Sequence, residues 1–167
     1  MTNDELKSAI AERHIHKREL GVPIDARGSS IKTEIESGLA EKYACDELGC
    51  EFNIEIFDGN DGGFDLIYRG YSIDVKWLGI SKQDAQPRTN GRIIVDVKKI
   101  DRCDLYIAVS GSENRGFKCV GWCTREDLLN APKWKSDYPD IYGNYMRYAM
   151  HTRFLREMKD LKNIHEK

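Results

Sequence analysis

Apolar and polar positions recur along this chain with two periods, about four residues near its start and two through its middle. The switch separates predicted helices from predicted strands. Residues 3–20 read as a polar helix with Leu6, Ile10 and Ile15 on one side. GVPIDARGSS, residues 21–30, is a loop punctuated by Gly and Pro. Ser29 or Ser30 caps the next helix, roughly Ile31 to Leu48, in which Ile31, Ile35, Leu39 and Tyr43 form an apolar stripe. A second stripe, Glu34, Gly38, Glu41, Cys45 and Leu48, sets two carboxylates among small and apolar neighbours. Gly49 ends the helix.

Beyond Gly49 the period is two. EFNIEIF (51–57) alternates as a half-buried strand does, and DGNDGG (58–63) is a turn-rich loop. FDLIYRGYSIDVKWLG (64–79) reads as two strands joined by a tight hairpin at Arg69-Gly70. ISKQDAQPRTNGR (80–92) reads as a polar, mobile loop. IIVDV (93–97), DLYIAVS (104–110) and FKCVGW (117–122) are further strands, the last two linked through residues 110–116. Thr124 caps a short helix, REDLLN, and the tail from about Asn144 to Lys162 reads as a final helix. No repeat or linker divides the chain, so residues 1–167 read as one domain. Helices, a run of strands, then helices again predict an α/β fold with one sheet flanked by helices.

Composition removes several classes. With 40% hydrophobic and 32% charged residues in 167, the chain matches ordinary soluble globular proteins. Mean hydropathy is −0.60, and no apolar run approaches the ~20 residues of a membrane span. The opening MTNDELKSAIAERH has no apolar core of a signal peptide. Five cysteines without a regular framework fit free thiols in a reducing cytoplasm, the expected compartment. Cys45/Cys50 and Cys119/Cys123 miss the usual zinc-ribbon spacing, and Cys119 and Cys123 share strand parity, both toward the core. Net charge is −2, unevenly spread: residues 1–68 hold seven Lys/Arg against fifteen Asp/Glu, and residues 69–167 hold nineteen against thirteen. Such a split permits a polyanion-facing surface.

The chemistry concentrates in residues 63–76. Asp65 starts one hairpin strand, while Asp74 and Lys76, two apart on the other, share a face. Ile73, Val75 and Trp77 take the opposite face. Folding at Arg69-Gly70 brings Asp65 beside Asp74, and Glu41 is available as a third carboxylate. Converging carboxylates repel one another unless a cation neutralises them. Hard oxygen ligands favour Mg²⁺ or Mn²⁺, which can polarise a phosphodiester and lower the pKa of an attacking water. Lys76 can orient that water or offset charge building on phosphorus. The plainer reading of the same residues is a surface hairpin with solvated charges.

Asp65 followed by Asp74-Val75-Lys76 resembles the PD-(D/E)xK signature of restriction-endonuclease-like nucleases. Gly38-Leu39-Ala40-Glu41 resembles the family's opening acidic helix, and Gly63-Phe64-Asp65-Leu66 its first acidic strand. Asp104-Leu105-Tyr106-Ile107-Ala108-Val109 and Val120-Gly121-Trp122 resemble later core strands, so the likeness covers about residues 31–129 in order. It implies a mixed central β-sheet flanked by helices, with the N-terminal and C-terminal helices as additions. It also implies Mg²⁺-dependent hydrolysis of phosphodiesters to a 3′-hydroxyl and a 5′-phosphate, with Mn²⁺ able to substitute. Asp65 and Asp74 would then be metal ligands, with the Val75 carbonyl a further one. Lys76 would be the catalytic lysine, and Glu41 the helix carboxylate completing the metal shell. Phe64 stands where the motif has Pro, and Asp74 where Glu is commoner. Glu34, seven residues earlier on the same stripe, competes with Glu41, which is preferred.

The following loop offers Lys82, Gln83, Gln86, Arg88, Asn90 and Arg92. Of these, Lys82, Gln86, Arg88 and Arg92 are the candidate phosphate and base-edge contacts. Trp134, Tyr138, Tyr142, Tyr145 and Tyr148 gather near Lys133, Lys135 and Arg147. Such a mixture can stack bases, but reads first as packing of a terminal segment. His14, His16, His151 and His165 receive no catalytic role. The expected partner is nucleic acid, DNA favoured over RNA, with no membrane; cutting both strands of a duplex would call for a homodimer. The competing reading is a non-catalytic nucleic-acid- or protein-binding module on the same fold, for example a phage-borne inhibitor or assembly factor, indifferent to metal.

Overall fold

Ser30 accepts a hydrogen bond from the Thr33 amide and opens helix α2, Ile31–Leu48, which Gly49 closes in the left-handed conformation at φ 68°. Helix α1, Asn3–Glu19, packs across it. The computed structural model describes residues 1–19, 30–52, 63–79, 91–135 and 146–167. In α1, Leu6 and Ile10 are fully buried, but Ile15 is 54% exposed. The line continues instead through His14, four residues beyond Ile10, which is buried. Ile15 lies ~140° around the helix from Ile10, too far to share its face. Ile35 and Leu39 of α2 meet α1, while Ala40, Ala44, Cys45 and Leu48 meet the central sheet. The expected stripes hold only in part: Ile31 is exposed, Tyr43 packs on the sheet side, and Ala40 and Ala44, which belong to neither stripe, join that core.

The central sheet holds β1 (Leu66–Tyr68), β2 (Tyr71–Trp77), β4 (Leu105–Ser112) and β5 (Gly116–Thr124), in the order β1-β2-β4-β5. β2 and β4 are parallel and the other pairs antiparallel, so the sheet is mixed. β1 and β2 turn at Arg69 (φ 50°) and Gly70 (φ 81°), two left-handed residues whose twist suits a two-residue hairpin. Residues 105–111 of β4 are all buried, because both of its faces are covered. Leu105, Ile107 and Val109 join Ile73 and Val75 beneath α2. Tyr106 and Ala108 point the other way.

A second sheet covers that other face. It consists of β3 (Arg92–Asp96), β7 (Met146–His151) and β6 (Lys133–Lys135), in the order β3-β7-β6, all antiparallel. Ile93, Val95 and Tyr148 pack on Tyr106, Ala108, Cys123 and Leu128. The fold is therefore mixed α/β with a mixed central sheet, α2 on one face, and a second sheet together with the short helix Arg125–Leu129 on the other. A single sheet was expected. The final helix expected over about 144–162 is not formed: residues 146–151 are strand β7, and the helix that follows the 3₁₀ turn Thr152–Phe154 is short, Met158–Lys162 (α4). The apolar edge of β3 is the cause. Ile93 and Val95 need a partner strand, and Tyr148 and Met150, two apart, supply an inward face that overrides local helix propensity.

Smaller departures have local causes. Val97 opens a 3₁₀ helix, Val97–Arg102, whose start Asp96 caps, so β3 stops at Asp96. The β4–β5 register shifts between Ala108 and Val109, so that Gly121 and Cys119 pair with these neighbours and Val120 is extra. Cys119 then packs in the α2-side core and Cys123 in the opposite one, correcting the expectation that both face one core. All five cysteines are free. Thr124 caps α3 (Arg125–Leu129) in a reciprocal box with Asp127, as expected. In the strand expected over 51–57, residues 53–57 lie outside the described residues, as do 58–62. Among the described residues no helix is long and apolar enough to cross a membrane.

Because β4 is clad on both faces, truncating it should be costly. Ile107→Ala is expected to lower unfolding stability by roughly 2–5 kcal/mol in urea titrations, with the denaturant slope unchanged.

Candidate active site

The β1–β2 hairpin positions the acidic pair. Leu66 pairs with Ile73, and the Asp65 amide donates to the Ile73 carbonyl at 2.8 Å, extending the ladder one step toward Asp74. Asp65 Oδ2 accepts a 2.6 Å hydrogen bond from the Val75 amide. Lys76 Nζ lies 2.5 Å from Asp74 Oδ2. Trp77 packs on the opposite face with Ile73 and Val75, its indole donating to the Gly111 carbonyl at 2.9 Å. Glu41, buried on α2, accepts from Ser37 Oγ at 3.3 Å. Glu41, Asp65, Asp74 and Lys76 line one open cavity of about 470 Å³.

Burial and mutual repulsion dominate its electrostatics. Burial, then the Asp74 carboxylate, push Asp65 up to about 8 against the pull of the Val75 amide. Burial raises Glu41 well above the ordinary carboxylate range, and Asp65 and Asp74 add to the rise. Burial works against the Lys76 ammonium, but Asp74 and then Asp65 outweigh it, and its pKa is raised. The buried Cys103 thiol, which donates to the Gly63 carbonyl at 3.1 Å, is pushed up to about 12 by burial and the same two aspartates. It is therefore a poor nucleophile.

No family model, curated protein or solved structure matches this chain. What the cavity can do is argued from its own residues.

Glu41, Asp65 and Asp74 share the cavity with Lys76, which lies close to Asp74, and with Glu34 and Asp96; carboxylate oxygens are hard donors suited to Mg²⁺ or Mn²⁺. Among the described residues, no three His, Cys, Asp or Glu side chains are drawn together as a ready-made metal cluster. The direct contact of Val75 with the acidic pair is through its N–H. Glu34 also lines the cavity, with Oε1 3.2 Å from His14 Nδ1; at Glu41 both aspartates add to the rise.

Sequence reasoning did not single out Arg13 of α1 or Lys99 and Arg102 of the 3₁₀ helix, and named Arg147 of β7 only within the late aromatic and basic cluster; all four line the cavity. Arg102 lies across Gly63, whose φ is 92° and where a Cβ would sit 2.6 Å from Arg102 Cδ. No local pattern marks these cations, because α1 and β7 reach the cavity only through tertiary packing. His14 had a signal, its spacing of four from Ile10. Lys82, Gln83, Gln86, Arg88 and Asn90 lie outside the described residues. Arg92 does not reach the acidic cavity but lines a separate groove. Tyr148 is core, while Tyr138, Tyr142, Tyr145 and the side chains of Lys133, Trp134 and Lys135 are outside the described set.

The raised acids have a pH consequence. Asp65 is held protonated to about 8 in the folded protein, whereas an unfolded aspartate ionises near ~3.9. Between those values the folded state binds more protons, so its stability falls as pH rises. Asp65→Asn keeps an acceptor for the Val75 amide and removes the titration. It is expected to raise the urea midpoint over the unchanged protein near pH 8, and far less near pH 4.5, in EDTA.

Proposed function

We propose that the protein is a metal-dependent nuclease that hydrolyses phosphodiester bonds, with DNA the favoured substrate. The observation that carries this reading is the convergence of Glu41, Asp65, Asp74 and Lys76, from a helix and both hairpin strands, on one open cavity with arginines and lysine in its wall. The same four residues bear the resemblance to PD-(D/E)xK nucleases.

Asp65 and Asp74 are the residues to hold a divalent cation, with Glu41 behind them. Mg²⁺ keeps several of its waters and takes one or two carboxylates, so it needs no preformed cluster of three. When bound, such an ion supplies polarisation of a phosphodiester and a lowered pKa for an attacking water. The chain's own residues do the rest. The Val75 amide fixes Asp65 Oδ2 in place. Lys76 is held by Asp74 within reach of the cavity, where its ammonium orients a water or offsets charge at the phosphorus. Glu41, whose carboxyl burial and its two acidic neighbours push well above the ordinary range, would be favoured in its charged form by a bound cation and so could complete the shell. Arg13, Lys99, Arg102 and Arg147 set positive charge around the carboxylates, where a polyanion must approach.

The test is cleavage of linear and circular duplex, single-stranded and branched DNA, and RNA in Mg²⁺, Mn²⁺ or EDTA. Cutting is expected in either metal and not in EDTA, with a loss of at least ~100-fold in Lys76→Ala. Mg²⁺ should also raise the unfolding midpoint of the unchanged protein more than that of Asp74→Ala. No cutting on any substrate by folded protein would instead favour a non-catalytic binding module.

A further inference from the structure

β3 and β7 run from the acidic cavity to a second one. In their antiparallel register Asp96 faces Arg147, Ile94 faces Ala149 and Arg92 faces His151. The Asp96–Arg147 end lines the acidic cavity, and the Arg92–His151 end lines a groove of about 460 Å³. Arg92 and Asp96 are four residues apart on one strand, ~13 Å along the sheet. A few nucleotides of extended single strand cover that distance.

The groove combines an apolar floor with cations and an exposed ring. Phe154 is 63% exposed, and the Arg153 guanidinium carbon stands 4.6 Å from its centroid. Arg92 and Arg153 are exposed at the rim. The groove's carboxylate, Asp127, is taken up by Arg156, which donates from Nε at 3.1 Å and Nη2 at 2.9 Å. His151 Nδ1 accepts from the Arg153 amide at 3.1 Å, and the residue lines the groove. An exposed aromatic ring with the Arg153 guanidinium over it and Arg92 at the rim, neither in an ion pair among the described residues, matches a base with its phosphate, the pairing by which single strands are held.

We propose that this groove is a single-strand nucleic-acid subsite: a base stacks on Phe154 while Arg92 and Arg153 hold phosphates of the strand whose reacting phosphate lies in the acidic cavity. The subsite itself stands on the groove, and its continuity with the cavity rests on the nuclease reading.

The test is fluorescence anisotropy with a labelled oligothymidylate of about twelve nucleotides, in EDTA, beside an oligouridylate and a duplex of equal length. The single strands are expected to bind more tightly than the duplex, and the stronger of the two names the DNA or RNA source. Phe154→Ala should weaken binding at least ~10-fold, with Phe154→Trp restoring it. The Arg92→Ala, Arg153→Ala double variant should reduce the salt slope by ~1.4. All three side chains are exposed, so unchanged unfolding midpoints are expected to certify the variants. No single-strand binding at low salt, or affinity and slope unchanged in both variants, would overturn the proposal. Metal-dependent cutting with Phe154-independent binding removes the subsite alone. Phe154-dependent binding without cutting removes the nuclease reading and leaves the subsite.

Discussion

The hydrogen bond from the Val75 amide to Asp65 Oδ2, at 2.6 Å, depends on one register of the β1–β2 hairpin. A slip of one residue would turn Ile73 and Val75 out of the core beneath α2 and turn Asp74 and Lys76 into it. That exchange would bury two charges in place of two apolar side chains, so the core selects the register. The left-handed pair Arg69 and Gly70 selects it again from the turn. Agreement between core and turn makes the acidic pair a rigid feature of the sheet.

Rigidity here has an energetic cost. A buried carboxylate is disfavoured when charged; Asp65 and Asp74 add to the rise at Glu41, and Asp74 adds to the rise at Asp65. Lys76 opposes this through one close contact with Asp74. A core evolved for stability alone would place apolar groups there, since swapping buried ionic groups for well-packed apolar ones is often neutral or stabilising. The cavity instead holds carboxyls raised by burial and by one another, as functional sites often do. The Asp104 carboxylate shows the contrasting case. It accepts from both the Ser72 amide and hydroxyl and meets Lys167 Nζ, a saturated arrangement that ties β2 to the start of β4.

Legibility followed the range of the interactions. α2 and its Gly49 stop rest on contacts a few residues apart and could be read from the chain, and its cap could be narrowed to Ser29 or Ser30, of which Ser30 is the one used. So could the hairpin and the facing of Asp65, Asp74 and Lys76, because strand parity and one turn determine them. β7 was misread as helix because its strand state is imposed by β3, some fifty residues away, and Met146 to His151 is too short to declare itself. The parity of Cys119 and Cys123 failed for a related reason. A bulge opposite Ala108 and Val109 inserts Val120, and alternation cannot be carried across it. Ile15 was assigned inward by counting apolar residues, while helical geometry gave that place to His14.

The second sheet is the part of the molecule that the pattern concealed, and it changes what the acidic pair can be. On a single sheet flanked by helices, Asp74 and Lys76 would sit on a surface open to water, with their charges screened. β3 and β7 place Ile94, Val95, Asp96 and Arg147 across from them and make a walled cavity of the surface. Tyr106 helps to hold that wall in place: buried between the sheets, it packs among Ile93, Val95 and Tyr148 and donates through its hydroxyl to the Ile100 carbonyl at 3.0 Å. The same 3₁₀ helix carries Lys99 and Arg102 to the rim. Packing between the two sheets thus sets both the desolvation that raises the carboxylates and the cations that would meet a polyanion. Loosening the inter-sheet core would therefore weaken both at once, although no residue of that core need touch a ligand.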